Sequence, residues 1–360
     1  MDRPIQYPET ADAMYAHLKE RLTDVVPDVE LKLKAELAVQ VNALKREKNA
    51  VILGHNYMEP ALFHSVPDFT GDSLYLSRVS ARTESEIIVF CGVRFMAETA
   101  KILNPGRLVL LPSARGGCSL AEAVTAADVR ALKALYPGAP VVSYVNTYAD
   151  VKAESDYCCT SGNGEAVVKH LQEQGHELVI FLPDQYLASN VARDCGLQII
   201  FPVKGQAGLT RPEDEPENLT GVMVGWQGRC EVHEQFTVED IDNVRKQFPD
   251  VVVLAHPECS PEVVDASDFA GSTNAMIQFV EESNAPHFLL LTECSMGDNI
   301  MGAHPEKEML RLCSVRCPHM NQITLEAVRD ALLYTQYVVE VPEKIRLRAA
   351  QSVERMIAIG

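Results

Sequence analysis

Residues 51–77 read VILGHNYMEPALFHSVPDFTGDSLYLS, and this stretch decides the fold. It opens with a short apolar run that is typical of a buried parallel strand. The polar side chains of His55 and Tyr57 follow directly, and the small-residue turn GDS comes later, at residues 71–73. A helical pattern begins after the turn. The stretch therefore predicts a strand, a polar cluster at its carboxyl end, a turn and a helix.

The same order of features recurs in two further segments. Residues 141–168 read VVSYVNTYADVKAESDYCCTSGNGEAVV, and residues 251–280 read VVVLAHPECSPEVVDASDFAGSTNAMIQFV. The polar clusters are Tyr144 with Asn146 and His256 with Glu258, and the turns are SGN at residues 161–163 and GST at residues 271–273. Three segments with one order of features indicate an internal repeat.

Each repeat continues to a cysteine. A second strand-like run follows in each repeat, first IIVF, then LVIF and then FLLL, and a helix-like stretch comes after it. The repeats end on GGCSLAEAV around Cys118, GRCEVHEQF around Cys230 and VRCPHMNQI around Cys317. These three cysteines are therefore predicted to occupy equivalent positions.

Strands that alternate with helices predict an α/β fold with parallel sheets. Ligands of such sheets gather at the carboxyl ends of the strands, where the three polar clusters fall. We therefore expect a pseudo-threefold arrangement that brings the clusters and the cysteines to one central active site. The predicted boundaries are an N-terminal helical extension at 1–48, a first repeat at 49–117 completed by 318–360, a second at 118–229 with a surface-loop insertion near 204–221, and a third at 230–317.

The composition limits the partners and the compartment. The chain has 360 residues, a formal net charge of -18 and ten cysteines. A surface this negative repels nucleic acid and anionic membranes, so neither is an expected partner. We expect no signal peptide and no membrane span, because no apolar run is long enough for either, and a cytoplasmic location follows. In that reducing compartment, cysteines are more often buried, catalytic or metal-bound than paired in disulfides.

The three repeat-end cysteines are candidate ligands of an open metal centre. Thiolates suit soft metals and iron–sulfur clusters. A cluster of four irons on three protein thiolates leaves one iron able to bind substrate as a Lewis acid. The alternative is that they are ordinary buried thiols, as free cysteines commonly are. The other cysteines do not match across the repeats and are interpreted as packing residues: Cys91, Cys158, Cys159, Cys195, Cys259, Cys294 and Cys313.

The polar clusters and turns are candidates for substrate binding and proton transfer. Backbone N–H groups at a helix start bind phosphate or carboxylate, and the hydroxyls of the turns can add donors. Glu258 beside His256 offers a general acid/base pair, and Tyr57 and Tyr144 offer phenolic donors. The alternative is that the hydroxyls cap helices and that the His and Tyr side chains are structural. The turn residues are Ser73, Ser161, Ser272 and Thr273.

A series of motifs resembles the quinolinate synthase family. In order they are GHNYMEP, GDSL, GGCSLAEAV, YVNTYAD, CTSGN, WQGRCEVHEQF, HPEC, GSTNAM and CPHM, and they run from Val51 through most of the chain. The resemblance implies synthesis of quinolinate from iminoaspartate and dihydroxyacetone phosphate, with loss of water and phosphate, in NAD biosynthesis. It also implies three αβα domains about a pseudo-threefold axis, with a [4Fe-4S] cluster at their junction.

The resemblance also implies roles for single residues. The three repeat-end cysteines resemble the cluster ligands. Glu258 resembles the acid/base residue, and Tyr57 resembles a substrate-contacting tyrosine that helps proton transfer; we group His256 with them as catalytic. The residues that resemble the lining of the substrate pocket are His55, Ser73, Tyr144, Asn146, Ser161, His256, Glu258, Ser272 and Thr273.

The third cysteine motif departs from one pattern of the family. Some bacterial members carry a CxxCxxCP run at the third ligand. Here only CPHM matches, and Cys313 lies upstream of Cys317 at a different spacing. A redox switch of the CxxC type is therefore not expected in this chain.

Other functions stay open at this point. An aconitase-like hydro-lyase would share the open iron but not the HPEC and GSTNAM motifs. A non-enzymatic iron–sulfur sensor would need an effector or nucleic-acid surface, and the net charge disfavours DNA. A metal-free sugar-phosphate-binding protein would carry no iron. For the preferred function, we consider a functional hand-over of iminoaspartate from an L-aspartate oxidase.

Overall fold

The computed structural model describes residues 3–206, 208–310 and 315–360. The chain divides into two compact units, each built from three segments. Unit 1 comprises Met1–Gly117, Glu239–Leu254 and Thr273–Glu340, and unit 2 comprises Cys118–Val238, Ala255–Ser272 and Val341–Gly360. The predicted division into an extension and three repeats stays a prediction.

Helices and strands alternate along most of the described chain. The strands are β1 (Ala50–His55), β2 (Phe69–Gly71), β3 (Ile87–Cys91), β4 (Leu108–Leu110), β5 (Val141–Tyr144), β6 (Tyr157–Cys159), β7 (Leu178–Leu182), β8 (Gln198–Ile200), β9 (Val203–Gly205), β10 (Gly208–Thr210), β11 (Val222–Val224), β12 (Val252–Ala255), β13 (Phe269–Ala270), β14 (His287–Leu291) and β15 (Glu308–Leu310). The α-helices are α1 (Ala11–Leu22), α2 (Asp28–Glu47), α3 (Pro60–Phe63), α4 (Ser73–Arg82), α5 (Arg94–Leu103), α6 (Ser119–Glu122), α7 (Ala126–Leu135), α8 (Ala149–Glu154), α9 (Gly164–Glu173), α10 (Gln185–Asp194), α11 (Val238–Gln247), α12 (Pro261–Ala266), α13 (Thr273–Glu282), α14 (Cys294–Ala303), α15 (Leu325–Tyr334) and α16 (Glu343–Ala358). Short 3-10 helices occupy His233–Gln235 and Met320–Gln322.

Unit 1 contains a four-stranded parallel sheet in the order β2-β1-β3-β4. Ala50 pairs with Ile87, and Ile87 pairs with Leu108, so these strands begin at one level. β1 and β3 are almost wholly buried apolar runs, as a sheet covered on both faces requires. Helix α2 packs against β1, and α1 and α15 pack against α2.

Strands β12, β14 and β15 are neighbours in a further sheet. β14 and β15 are parallel, and His287 pairs with Glu308. Helix α14 connects these two strands and packs against β15. A parallel pair joined through a helix is the α/β unit that the repeat pattern predicts.

Unit 2 contains a five-stranded parallel sheet in the order β6-β5-β7-β11-β8. Its core includes Tyr136, Ile180 and Trp226, which are at most 7% exposed. Helix α7 begins with a capping box between Thr125 and Asp128, which satisfies its first backbone donors. Helix α16 packs against α8 and β6.

The insertion predicted near 204–221 is more ordered than a plain surface loop. It begins within an antiparallel pair, β9 with β10, in which Val203 pairs with Thr210. All three residues of β9 are exposed, whereas Leu209 packs against the core of unit 2. Strands of three residues are too short to show an alternating pattern, so the sequence did not predict them.

The predicted α/β fold of parallel sheets flanked by helices is confirmed. The predicted polar clusters stand where strands end: β1 ends at His55, β5 ends at Tyr144, and His256 directly follows β12. The pseudo-threefold arrangement stays a prediction. None of the helices in the described ranges combines the length and the apolar character that crossing a membrane requires.

Candidate active site

The carboxylate of Glu258 is the centre of a buried polar cluster in unit 2. Glu258 is 3% exposed and lies just after β12. The phenol of Tyr144 donates to Oε1 at 2.5 Å, and Nδ1 of His233 lies 2.8 Å from Oε2. Both carboxylate oxygens therefore have partners, as a buried charge requires.

Two imidazoles control the charge of Glu258. The rings of His233 and His256 stack with centroids 4.5 Å apart and planes 16° apart. Nδ1 of His256 accepts the backbone N–H of Glu258 at 3.3 Å. Burial alone would raise the pKa of Glu258, but the two imidazoles and the hydrogen bonds from His233 and Tyr144 hold that pKa below its usual range. Glu258 is therefore an anion.

A second buried carboxyl group, Asp184, lies in the same unit. Its side chain caps α10, because Oδ1 accepts the backbone N–H of Leu187 at 2.8 Å. Its Oδ2 is buried and has no hydrogen-bond partner among the described residues. Burial first, and then the charge of Glu258, raise the pKa of Asp184 well above its usual range. The net pKa shifts of the two buried carboxyl groups are therefore opposite, downward for Glu258 and upward for Asp184.

The first polar cluster has the same local turn as the third. In unit 1, Nδ1 of His55 accepts the backbone N–H of Tyr57 at 3.2 Å, as Nδ1 of His256 accepts that of Glu258 in unit 2. The rings of His55 and Tyr57 meet edge to face, and the Tyr57 hydroxyl is 2.5 Å from Thr292 Oγ1. Tyr57 thus occupies the position in its repeat that Glu258 occupies in its own.

Two of the predicted turn residues are not helix caps. Ser73 is the first residue of α4, and the carboxylate of Asp72 caps that helix by accepting a backbone N–H. Ser161 lies two residues before Asn163, which occupies the cap position of α9. Both serines are half-buried. The helix-cap alternative therefore does not account for these two hydroxyls.

Ser272 and Thr273 are buried where α13 begins. In unit 1, the side-chain amide of Asn56 donates to Thr273 Oγ1 at 2.9 Å and to Asn274 Oδ1 at 2.8 Å. In unit 2, Ser272 lies against the second turn, since a Cβ placed on Gly162 would be 3.4 Å from its side chain. The third turn is thus held by polar contacts in one unit and by close packing in the other.

The predicted residues divide between the two units. His55, Tyr57, Ser73, Thr273 and Cys317 belong to unit 1, and Cys118, Tyr144, Asn146, Ser161, Cys230, His256, Glu258 and Ser272 belong to unit 2. Unit 2 brings Tyr144, His256 and Glu258 together, whereas Asn146 is half-buried just beyond the end of β5. The gathering of both sets about one axis stays a prediction.

The three repeat-end cysteines have the same backbone surroundings. The carbonyl oxygen two residues before each cysteine accepts the N–H of the first residue of a helix: Gly116 from Arg94 at 2.7 Å, Gly228 from Gln185 at 2.8 Å and Val315 from Cys294 at 3.1 Å. The carbonyl oxygen of each cysteine accepts an N–H four residues later: Cys118 from Glu122 at 3.1 Å, Cys230 from Glu234 at 3.0 Å and Cys317 from Asn321 at 3.0 Å. Each cysteine is therefore the first residue of a helical turn, and the backbone just before it is hydrogen-bonded to the start of another helix.

Cys230 joins the cysteine set to the Glu258 cluster. Its Sγ lies 3.2 Å from Nδ1 of His233 and accepts hydrogen bonds from the backbone N–H groups of Val232 and His233. Burial first, and then the charges of Glu258 and Cys118, raise the pKa of the Cys230 thiol well above its usual range. Donor atoms of Cys230, His233 and Glu258 lie within 4.8 Å of one another, so they could hold a metal ion.

Most of the remaining described cysteines are buried, as packing residues should be. Cys91, Cys158, Cys159 and Cys259 are buried, whereas Cys195 and Cys294 are partly exposed. Burial raises the pKa of the Cys91, Cys158, Cys159 and Cys259 thiols, which keeps them protonated and unreactive. Cys313 lies outside the described residues.

Comparison with known proteins decides the family. A family model described as "Quinolinate synthetase A protein" matches residues 39–358. The chain belongs to the quinolinate synthase family. Similar relatives are quinolinate synthase 2 of Mesorhizobium japonicum, 48% identical over 344 residues (96% of this chain and 98% of the relative); the quinolinate synthase of Caulobacter vibrioides, 45% over 347 residues (96% and 88%); and that of Xylella fastidiosa, 49% over 316 residues (88% and 85%). The resemblance seen in the motifs is thereby confirmed.

Sequence reasoning missed two residues in this member of the quinolinate synthase family. His233 contacts both Cys230 and Glu258, and its signal was the Cys-x-x-His spacing inside WQGRCEVHEQF. Asp184 gave a weaker signal, an acidic residue between β7 and α10 in the position of a helix cap. Its burial beside Glu258 depends on tertiary packing, which local pattern does not reveal.

Proposed function

We propose that this chain catalyses the quinolinate synthase reaction. Iminoaspartate and dihydroxyacetone phosphate condense, and ring closure with loss of phosphate and water completes the pyridine. The observation that carries the proposal is the buried anion of Glu258, held between Tyr144 and His233 and placed beside Cys230. Membership of the quinolinate synthase family supports this reaction over an aconitase-like hydro-lyase, an iron–sulfur sensor or a sugar-phosphate-binding protein.

We assign Cys118, Cys230 and Cys317 as ligands of a [4Fe-4S] cluster, and the donor set of this chain fits that group. The charge of Cys118 acts on Cys230, whose sulfur accepts two backbone N–H bonds of the kind that stabilise a cluster thiolate. Because burial raises the pKa of the Cys230 thiol, a thiolate there needs a cation beside it. When bound, the cluster would supply an iron with an open position that acts as a Lewis acid.

Glu258 is assigned as the residue that moves protons. It enters the reaction as an anion and can therefore accept a proton from the substrate before returning it to a leaving group. A dicarboxylate or phosphate that enters the site brings like charge, which raises the pKa of Glu258 towards the range of a useful acid. His256 and Tyr144 keep the carboxylate in place through the backbone N–H and through Oε1.

The remaining predicted residues are proposed to bind the anionic groups of the two substrates. Ser73 and Ser161 stand at helix starts without acting as caps, so their hydroxyls and the neighbouring N–H groups suit a phosphate or a carboxylate. Tyr57 is proposed to assist proton transfer. The other residues assigned to the pocket are His55, Asn146, Ser272 and Thr273.

The supply of iminoaspartate is part of the proposal. An imine hydrolyses readily in water, so an oxidase that forms it from L-aspartate should act close to this enzyme in the cytoplasm. No nucleic-acid or membrane partner is proposed, in keeping with the net charge of -18.

The substitution Glu258→Gln tests the function because it keeps the shape of the side chain and removes its charge. We expect the variant, purified and reconstituted without oxygen, to keep its iron and to form quinolinate at least about a hundredfold more slowly. Glu262→Gln, an exposed glutamate in α12, is the matched control and should be as active as the parent chain. Near-normal quinolinate formation by Glu258→Gln would refute the assignment of Glu258 as the residue that moves protons.

A further inference from the structure

Glu293 is a buried carboxylate of unit 1 for which the reaction has no evident use. It is 2% exposed and stands at the start of α14. Oε2 accepts the backbone N–H of Ser295 at 2.8 Å, and Oε1 accepts the Ser295 hydroxyl at 3.2 Å. The backbone N–H of Cys317 lies near enough to the same carboxylate to favour its charged form. One side chain therefore joins the start of a helix to a repeat-end cysteine.

Arg316 also bonds to Ser295, the residue that Glu293 contacts. Arg316 directly precedes Cys317 and donates to the Ser295 hydroxyl at 3.1 Å, so that hydroxyl lies between Arg316 and Glu293. Arg316 also reaches Asp298, which is 1% exposed, at 3.4 Å. The Arg316-Cys317 segment is thus attached to the first turns of α14 by side chains as well as by the backbone.

The equivalent positions in the other repeats do not make this contact. The residue before α5 is Val93, which offers no polar group, and the residue before α10 is Asp184, whose carboxylate accepts N–H groups of its own helix. Both helices still bind the backbone two residues before the cysteine, through the N–H groups of Arg94 and Gln185. The carboxylate at Glu293 is therefore not a requirement of the fold.

A difference in the cysteine segments gives the extra contact a physical reason. In the first and second repeats a glycine lies two residues before the cysteine, and the backbone there approaches its helix to 2.7 and 2.8 Å. In the third repeat Val315 takes that place, and the equivalent backbone bond is 3.1 Å. Of the two glycines, only Gly228 lies where an added Cβ would clash, 2.6 Å from the carbonyl oxygen of Pro183. The segment that carries Cys317 is therefore held less closely by its backbone bond, and the side-chain contacts of Glu293 add to that attachment.

We propose that Glu293 is a positioning residue that fixes the backbone of Cys317 for iron–sulfur binding, through the N–H of that cysteine and through Ser295 and Arg316. The inference rests on the proposed role of Cys317 as a cluster ligand. Residues that orient metal ligands commonly change metal affinity by about tenfold or more when they are removed. Glu293 would act in this way without touching iron or substrate.

The test compares iron release from the full-length chain after anaerobic reconstitution. A ferrous-iron chelator is added, and the loss of cluster absorbance is followed for the parent chain, Glu293→Ala and Glu293→Gln. We expect release from Glu293→Ala to be about tenfold faster. Glu293→Gln keeps one acceptor oxygen and should lie between the two. If Glu293→Ala does not fold, the Gln variant must still release iron faster than the parent chain.

Asp68→Asn is the matched control for a merely structural effect. Asp68 accepts the backbone N–H of Ile52 at 2.8 Å and pairs with Lys45 at 2.9 Å within unit 1, and neither contact involves Glu293, Ser295 or Arg316. It should lower the thermal midpoint of the apoprotein and leave the rate of iron release unchanged. Equal rates for Glu293→Ala and the parent chain, or equal acceleration by Asp68→Asn and Glu293→Ala, overturn the proposal.

Cys317→Ala separates this inference from the proposed function. If Cys317→Ala keeps a full complement of iron, the ligand assignment is wrong whatever Glu293 does. If Cys317→Ala loses iron while Glu293→Ala releases it at the parent rate, the ligand assignment stands and only the positioning role is wrong.

Discussion

At the scale of single residues, the charge of Glu258 is set by its neighbours. The HPEC motif identified this glutamate, but its surroundings were beyond the reach of the sequence. His233 precedes Glu258 by 25 residues in the sequence and meets it at 2.8 Å only in the folded chain. Burial and ion pairing act in opposite directions on a carboxyl pKa, and here the imidazoles outweigh burial. Motifs predict which residues matter, whereas packing decides their protonation.

His233→Ala should change the pH dependence of activity more than the iron content. The imidazole lowers the pKa of Glu258, so its removal should raise that pKa. A base works only when deprotonated, so the acidic limb of the kcat/KM profile should move to higher pH. We expect about a tenfold loss of kcat/KM near neutral pH, measured by quinolinate formation over a series of buffers.

His170→Ala is the control for that experiment. Its ring contacts Gln174, the residue directly after α9, and the variant should keep the parent pH profile. The assigned role of His233 is contradicted if His233→Ala loses activity equally at every pH, or if it loses its iron together with its activity.

At the scale of helices and strands, the order of elements was predictable and their close contacts were not. The apolar runs and small-residue turns correctly placed β1, β5 and β12 and the helices after the turns. Strands β9 and β10 were missed because three residues show no period. The anchoring of the cysteine segments was also missed, because it depends on backbone bonds between elements far apart in sequence.

Gly228→Ala should displace the segment that carries Cys230. A Cβ at this position would lie 2.6 Å from the carbonyl oxygen of Pro183 and 3.0 Å from Cβ of Ala123. The closest atom belongs to the backbone, so rotation of a side chain cannot relieve the clash. We expect a loss of about 2 kcal/mol in the free energy of unfolding and a lower iron content after reconstitution. Urea denaturation and iron quantitation measure the two effects.

Gly106→Ala provides the comparison for this substitution. A Cβ on Gly106 would meet no atom within 4 Å, so neither stability nor iron content should fall. A Gly228→Ala chain as stable and as iron-rich as the Gly106→Ala chain would show that the close approach at Gly228 has no structural importance.

At the scale of the whole molecule, the internal repeat predicted both the type of sheet and the cysteines of interest. The three repeats predicted parallel α/β sheets, and these are present. They also singled out three of ten cysteines, and the same two backbone hydrogen bonds surround each of the three. In each of the two compact units, segments that are distant in sequence pack together.

The equivalence of the three cysteines leads to a prediction for the assembled enzyme. Cys118→Ala, Cys230→Ala and Cys317→Ala should each lose the visible absorbance of the cluster and quinolinate formation after anaerobic reconstitution, because three ligands leave no spare thiolate. Cys195→Ala is the matched control, since Cys195 is partly exposed at a position without repeat equivalents, and it should keep parent iron, sulfide and turnover. The measurement is the amount of iron and sulfide bound per chain in each variant. A full cluster in any of the three repeat-end variants would remove that cysteine from the ligand set, and a full cluster in all three would refute the assignment.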